Sequence, residues 1–193
     1  LSGQVASGGL ALCSAAQFAQ TSPTTNACPA GSAGGTVSIA SPALSTPLGG
    51  TAYLGLQPAP GELPSLFVEA QLGPAADAPR VKLIGSLRID ERNRVEATLD
   101  NLPQLPVSEF TLSFRGGDNA VLVTPPTCGT TVGSIGAYAQ VAPSVPVPSE
   151  APYSVTDDCA AVNAFAPSVD FRLDDTNSAG RSTPLTVTLS RPD

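Results

Sequence analysis

Histidine, methionine and tryptophan are all missing from the 193 residues of the chain. Without histidine, Ser-His-Asp and Cys-His catalytic arrangements cannot form, and the commonest protein ligand of zinc and copper is lost. Lysine occurs once, as Lys82, and 9 basic residues stand against 16 acidic ones, for a net charge of -7. A nucleic-acid surface needs clustered cations to displace counterions. We therefore expect no histidine-dependent catalysis and no nucleic-acid partner.

Long apolar runs and common nucleotide or nucleophile motifs are missing too. No stretch approaches the roughly 18 apolar residues of a membrane span, so we expect no membrane insertion. No G-x-S-x-G, G-x-x-x-x-G-K-[ST] or G-x-G-x-x-G string occurs, and the glycines are interpreted as turn residues. The first residues lack the charged start and apolar core of a signal peptide. Together with the missing methionine, this predicts a segment of a longer protein or a processed form.

Four cysteines, Cys13, Cys28, Cys128 and Cys159, are the strongest positive signal. They form no C-x-x-C pair and no histidine accompanies them, so a zinc site is disfavoured. An even number of cysteines in a chain rich in Pro, Gly, Ser and Thr indicates disulfides and an oxidising, extracellular location. Three connectivities are possible, of which Cys13 with Cys28 and Cys128 with Cys159 is favoured. Four free buried thiols are the alternative.

The rest of the sequence predicts an all-β fold. The 20 Pro and 18 Gly require frequent turns. Residues 81–90 and 95–99 alternate apolar and polar side chains at a period of two, which indicates a hairpin with one buried and one wet face. This pattern is typical of antiparallel sheets. We expect two stacked sheets in a β-sandwich-like arrangement, Ig-like or related, with two disulfides and one short helix near residues 14–20.

Further strands and one possible break follow from the same patterns. Strands are predicted near 36–40, 51–57, 65–72, 110–114, 120–124, 131–140, 152–157, 169–173 and 185–189. We expect a single module over 1–193, with a possible subdomain break near 141–151. There the prolines of residues 143–148 indicate an extended connector or an edge strand, because proline cannot donate to a central ladder.

Several strings resemble the repeat units of large secreted or surface proteins of high-GC, actinobacterial-type bacteria. The most specific are Asn-Leu-Pro-Gln-Leu-Pro at 101–106 and Pro-Pro-Thr-Cys-Gly at 125–129. Other matching segments lie at 9–18, 28–37, 47–54, 110–117 and 184–193. The resemblance implies an extracellular, repeat-built surface protein whose function is not established. It also implies that residues 1–34 are a disulfide-bounded lead-in from a preceding unit.

Some carboxylates are candidate catalytic or metal-binding groups. Glu69, Glu96 and Glu109 fall in or beside predicted strands, where a glycosidase could pair two of them, but alternation points them outward to solvent. The acidic loop at Asp174, Asp175 and Asn177 offers oxygen ligands for calcium, although its spacing fits no EF-hand and an ordinary turn explains it. Asp157-Asp158 beside Cys159 is a weaker case of the same kind.

A strand lysine such as Lys82 can form an isopeptide bond with an asparagine side chain. Alternation predicts instead that it is an ordinary lysine on the wet face of its strand.

A non-catalytic extracellular module, either a structural spacer or an adhesive unit of a bacterial surface protein, is the predicted function. The expected partners are neighbouring repeat units and a cell-surface protein or glycan, and no cofactor is expected apart from the calcium alternative. The alternative function is a carbohydrate- or protein-binding module, and a second is a glycoside-active enzyme. Only three tyrosines and no tryptophan argue against glycan binding.

Overall fold

A computed structural model describes most of the chain. The described residues are 11–75, 77–91, 94–104, 106–117, 120–125, 127–139, 142–157, 159, 168–173 and 185–190. Their backbone is mainly strand, the strand pairs with a defined register are all antiparallel, and two disulfides are present. The predicted all-β class is therefore confirmed. No described helix is long and apolar enough to span a membrane.

The elements follow one another in a simple order. They are α1 (Ala15–Phe18), a 3-10 helix (Ala30–Ser32), β1 (Ala33–Ala40), β2 (Leu48–Leu54), β3 (Leu66–Gln71), β4 (Arg80–Ile89), β5 (Val95–Leu99), β6 (Glu109–Phe114), β7 (Gly129–Ala139), β8 (Ala142–Val155), β9 (Ser168–Leu173) and β10 (Leu185–Ser190).

The predicted short helix is confirmed as α1, and its sequence explains its limits. Ser14 is the N-cap and Gln17 completes a capping box, since the Gln17 amide donates to Ser14 Oγ at 3.2 Å and Ser14 N donates to Gln17 Oε1 at 2.9 Å. Ala19 ends the helix in the left-handed region, with φ of 47°.

Six strands form one curled sheet in the order β5-β4-β3-β2-β1-β6. Pairing brings one set of alternate residues onto an inner face, where Val37 meets Gly50 and Leu112, and Ala52 meets Val68. The buried core lies on this inner face and consists of Val37, Ile39, Leu48, Ala52, Leu66, Val68, Ala70 and Leu83. Because the sheet curls, side chains from both end strands, including Leu99 and Phe110, pack on the same core.

The curl follows from glycines at inner-face positions. A side chain on Gly50 of β2 would overlap the carbonyl oxygen of Glu69 and lie 2.6 Å from Ala70 Cα. A Cβ on Gly35 of β1 would overlap the carbonyl oxygen of Ser113 in β6, and a Cβ on Gly85 of β4 would lie 2.8 Å from a methyl of Leu99. Glycine inside a strand marks such close backbone approaches. The interpretation of the glycines as turn residues is wrong for these three.

The predicted hairpin is confirmed as β4 and β5, with Ile89 opposite Val95 and Gly85 opposite Leu99. Side chains at the turn stabilise it, because Asp90 accepts hydrogen bonds from the Arg94 amide at 2.8 Å and from Arg94 Nε at 2.7 Å.

The remaining strands form two small sheets, β7 with β8 and β9 with β10. Prolines 143, 146 and 148 lie within β8, which has an unpaired edge in a two-stranded sheet, as the edge-strand alternative predicted. Residues 120–124 form no strand beyond a single bridge position, contrary to the prediction. The chain divides into two compact units, Leu1–Thr124 with Ser134–Ser149 and Pro125–Gly133 with Glu150–Asp193. The second disulfide, Cys128–Cys159, belongs to the latter unit.

Replacing Gly50 by alanine tests the origin of the curl. We expect Gly50→Ala to lower the free energy of unfolding by about 2 kcal/mol or more, because the added methyl group collides with the backbone of β3. Gly49→Ala is the matched control, since nothing lies within 4 Å of a Cβ at that position. Urea unfolding followed by circular dichroism measures both, and equal midpoints for the two variants would contradict this account of the sheet.

Candidate functional site

The outer face of the curled sheet carries the only buried charges among the described residues. Alternation in β3 points Leu66, Val68 and Ala70 inward, and Phe67 and Glu69 outward. Yet β3 is buried from Leu66 to Ala70 on both sides. A second layer therefore covers the outer face at β3.

Residues 13–28, here called the clasp, form that layer. The Cys13–Cys28 disulfide closes the clasp at its two ends, with Cα atoms 5.0 Å apart. Cys13 also joins the end of β2, since its amide donates to Leu54 O at 2.9 Å and its carbonyl accepts from the Leu56 amide at 2.8 Å. The clasp is thus tied to the sheet by main-chain hydrogen bonds as well as closed on itself.

Apolar contact under the clasp is made by two phenylalanines. Phe18, the last residue of α1, is fully buried and stacks on Phe67 of β3 with ring centroids 4.7 Å apart and an interplanar angle of 16°. Such stacking adds about 0.5–1.5 kcal/mol beyond the area that it buries. The stack fixes α1 over the centre of the sheet.

Next to the stack lies a buried ionic cluster of Glu69, Lys82 and Arg80. The Glu69 carboxylate is 3.4 Å from Lys82 Nζ and 3.6 Å from Arg80 Nε. The side chains of Lys82, Arg80 and Glu69 are only 3%, 4% and 9% exposed. One carboxylate therefore balances two cations in a place that water scarcely reaches.

The clasp supplies the remaining partners of the cluster. Lys82 Nζ donates to the carbonyls of Phe18 at 3.1 Å and Ala19 at 3.2 Å, where the end of α1 leaves acceptors unused. It also lies 5.6 Å from the centroid of the Phe18 ring, in cation-π range. Arg80 Nη1 donates to Pro23 O at 3.1 Å, and the backbone N–H of Asn26 donates to Glu69 Oε2 at 3.1 Å. All three charged side chains thus bind clasp main chain.

A pocket opens beside this cluster, between the clasp and the sheet. Its volume is about 360 Å³, and it is bounded by Thr25 of the clasp, by β2, β3 and β4, and by Pro74. Gly49 of β2 lines it with open space where a side chain would stand. Glu69 and Arg80 also line it, so the pocket is adjacent to the ionic cluster.

Two sequence predictions are overturned here. Lys82 and Glu69 were expected on a solvated strand face, but the clasp covers both. Alternation assigned the side of the sheet correctly and could not show that a distant segment lies over it. The continuous apolar run Leu66-Phe67-Val68 was the available signal, because a strand with one wet face would not place Phe67 beside Glu69.

The other weighed carboxylates lie apart. Glu96 of β5 is 43% exposed and paired with Arg88 at 2.8 Å, and its hydrogen bond and charge raise the pKa of Arg88. Glu109 is exposed on β6, where it accepts a hydrogen bond from Thr111 Oγ1 at 2.9 Å. The structure therefore does not bring Glu69, Glu96 and Glu109 together, and for Glu96 and Glu109 the predicted outward orientation agrees with their exposure.

Two further predictions concern the cysteines and calcium. The favoured pairing, Cys13 with Cys28 and Cys128 with Cys159, is the one that the structure shows. The calcium candidates Asp174, Asp175 and Asn177 lie outside the described residues, as does Asp158. Among described residues, no three His, Cys, Asp or Glu side chains are grouped as metal ligands.

Comparison of the chain with protein-family models, with curated proteins and with solved structures finds no match.

Glu69→Gln tests the ionic cluster while keeping the shape of the side chain. We expect it to lower the free energy of unfolding by about 3–5 kcal/mol, because Lys82 and Arg80 would keep their buried charges without the carboxylate. Glu96→Gln, at the exposed pair with Arg88, is the control and should cost less than about 1 kcal/mol. Chemical denaturation measures both variants. A loss for Glu69→Gln no larger than that for Glu96→Gln would show that the buried cluster adds nothing to stability.

Proposed function

We propose that this chain acts outside the reducing cytosol as a non-catalytic structural module, a spacer or adhesive unit of a larger bacterial surface protein. The single observation that carries the proposal is the clasp: a disulfide closes residues 13–28 over a sheet face that already has its own buried ionic cluster. Disulfides persist in oxidising compartments and are rare in the cytosol. The resemblance of the sequence to secreted repeat units supports the same location.

Covalent closure suits a protein that must survive outside the cell. In the chain-entropy model, a bridge that closes a loop of about 15 residues stabilises the fold by about 3 kcal/mol. The two bridges, with sequence separations of 15 and 31, lie in different units, so each unit has one covalent crosslink. Such a module would resist unfolding and proteolysis without chaperones. Its partners would be neighbouring repeat units and a surface protein or glycan.

The arrangement of carboxylates also supports a role without catalysis. A glycosidase places two carboxyl groups about 5–10 Å apart across a substrate cleft. Here Glu69 is engaged by two cations, Glu96 by Arg88, and Glu109 by Thr111, on three different strands. Turnover of aryl glycosides by the purified chain would contradict this part of the proposal.

Location is tested on intact cells of the source organism. Brief protease treatment of the cell surface should release peptides of this chain, with Cys13 linked to Cys28 and Cys128 linked to Cys159 when digested without reductant. Peptides found only after lysis, or carrying free thiols, would exclude the extracellular role.

Removing the clasp disulfide tests its structural importance. We expect the double variant Cys13→Ala, Cys28→Ala to lose about 3 kcal/mol of unfolding free energy and to be digested faster by proteinase K. The matched control is Cys128→Ala, Cys159→Ala, which should leave the protection of residues 11–72 from digestion unchanged. Mass spectrometry of the fragments over time provides the measurement. Equal protection of residues 11–72 in the clasp variant and the native protein would contradict a clamping role.

A further inference from the structure

We propose that the pocket between the clasp and the sheet binds one neutral saccharide residue. This goes beyond a structural role, because it gives the module a specific ligand.

Four residues with neutral hydrogen-bonding side chains line the wall. Thr25, Thr51 and Tyr53 contribute hydroxyls and Gln71 contributes an amide. Within the described part of the chain, none of these four side chains has a hydrogen-bond partner, so their donors and acceptors are available to a ligand. Hydroxyls both donate and accept, and an amide does the same through two different atoms. This combination matches the several hydroxyls of a sugar, each of which needs partners of both kinds.

The charges of the wall favour a neutral ligand over an anion. Glu69 and Arg80 are the charged residues that line the pocket, and they lie 3.6 Å apart as a pair of opposite sign. The two opposite charges lie side by side, Lys82 contacts the same carboxylate from outside the pocket lining, and Arg80 is further engaged by Pro23 O. A carboxylate or phosphate would meet Glu69 as well as Arg80 and lose by repulsion much of what it gained. The hydroxyls of a sugar carry no charge and do not incur this repulsion.

The volume of the pocket and its apolar surface also fit a single sugar ring. A volume of about 360 Å³ is at the lower end of the range for small-molecule sites. Gly49 leaves open space at the pocket wall, and Pro74 and Tyr53 supply apolar surface there. Sugar rings present an apolar C–H face that packs on such surface while their hydroxyls point to the sides. The sequence did not predict this site, because its few aromatic residues argued against glycan binding. One tyrosine is nevertheless enough to pack on one sugar ring.

The proposal is tested with methyl glycosides of glucose, galactose, mannose, arabinose and N-acetylglucosamine. Saturation-transfer difference NMR on the oxidised, full chain reports contact, and titration gives the dissociation constant. We expect at least one glycoside to bind in the millimolar range. Gly49→Leu puts a side chain where a Cβ meets no atom within 4 Å, and it should weaken that binding by about tenfold or more by occupying the pocket. Gly116→Leu is the matched control, because it is also uncrowded and lies outside the pocket.

A second pair of variants guards against a folding defect in Gly49→Leu. Thr51→Val and Tyr53→Phe keep volume and remove one hydroxyl each, and both should weaken the same glycoside by several fold. The proposal is overturned if no glycoside of the panel contacts the protein. It is also overturned if Gly49→Leu and both hydroxyl variants bind the glycoside with unchanged affinity, or if sodium acetate displaces the glycoside. None of these results would affect the structural role, which depends on the disulfides and their location.

Discussion

The position of the clasp on the sheet depends on the ion pairs that the buried carboxylate of Glu69 forms. This carboxylate lies between Lys82 and Arg80, and it accepts a hydrogen bond from the Asn26 amide. Both cations in turn bind carbonyls of the clasp, on Phe18, Ala19 and Pro23. The disulfide fixes the two ends of the clasp, and the ionic cluster acts together with the Phe18–Phe67 stack to position the residues between them. Without the carboxylate, two buried cations would lie beneath a segment that carries no charged side chain of its own.

An apolar contact in the same place could be as stable and would be less specific. Removing three charges from water is costly, and well-packed hydrophobic residues often replace buried ion pairs without loss. Directional bonds, however, allow one position of the clasp main chain over the sheet, whereas the Phe18–Phe67 stack alone tolerates sliding. That position sets the distance of Thr25 from β2 and thereby shapes the pocket. We regard specificity as the reason why this cluster is charged.

Much of the architecture could be predicted from the sequence, and the site could not. Period-two alternation located most strands, and the cysteine spacing gave the correct pairing. The same alternation placed Lys82 in water, because it reports on which side of a strand a residue lies and carries no information about what covers that side. The cover comes from a segment more than 50 residues earlier in the chain, as the Lys82 bonds to Phe18 and Ala19 show. The strand expected at 120–124 failed for a related reason, since an apolar run alone does not supply a pairing partner.

The adjacent glycines Gly49 and Gly50 show how one strand serves both faces of the sheet. Gly50 points inward, where β3 approaches too closely for any side chain, so the sheet can curl around its own core. Gly49 points outward into open space, where the absence of a side chain leaves room in the pocket. Replacing either glycine by a larger residue would therefore have a different consequence: the protein would lose stability at Gly50, and the pocket would lose volume at Gly49. Because both glycines lie within the paired region of β2, neither is explained by a turn, and the open space at the outward one agrees with the proposed ligand site.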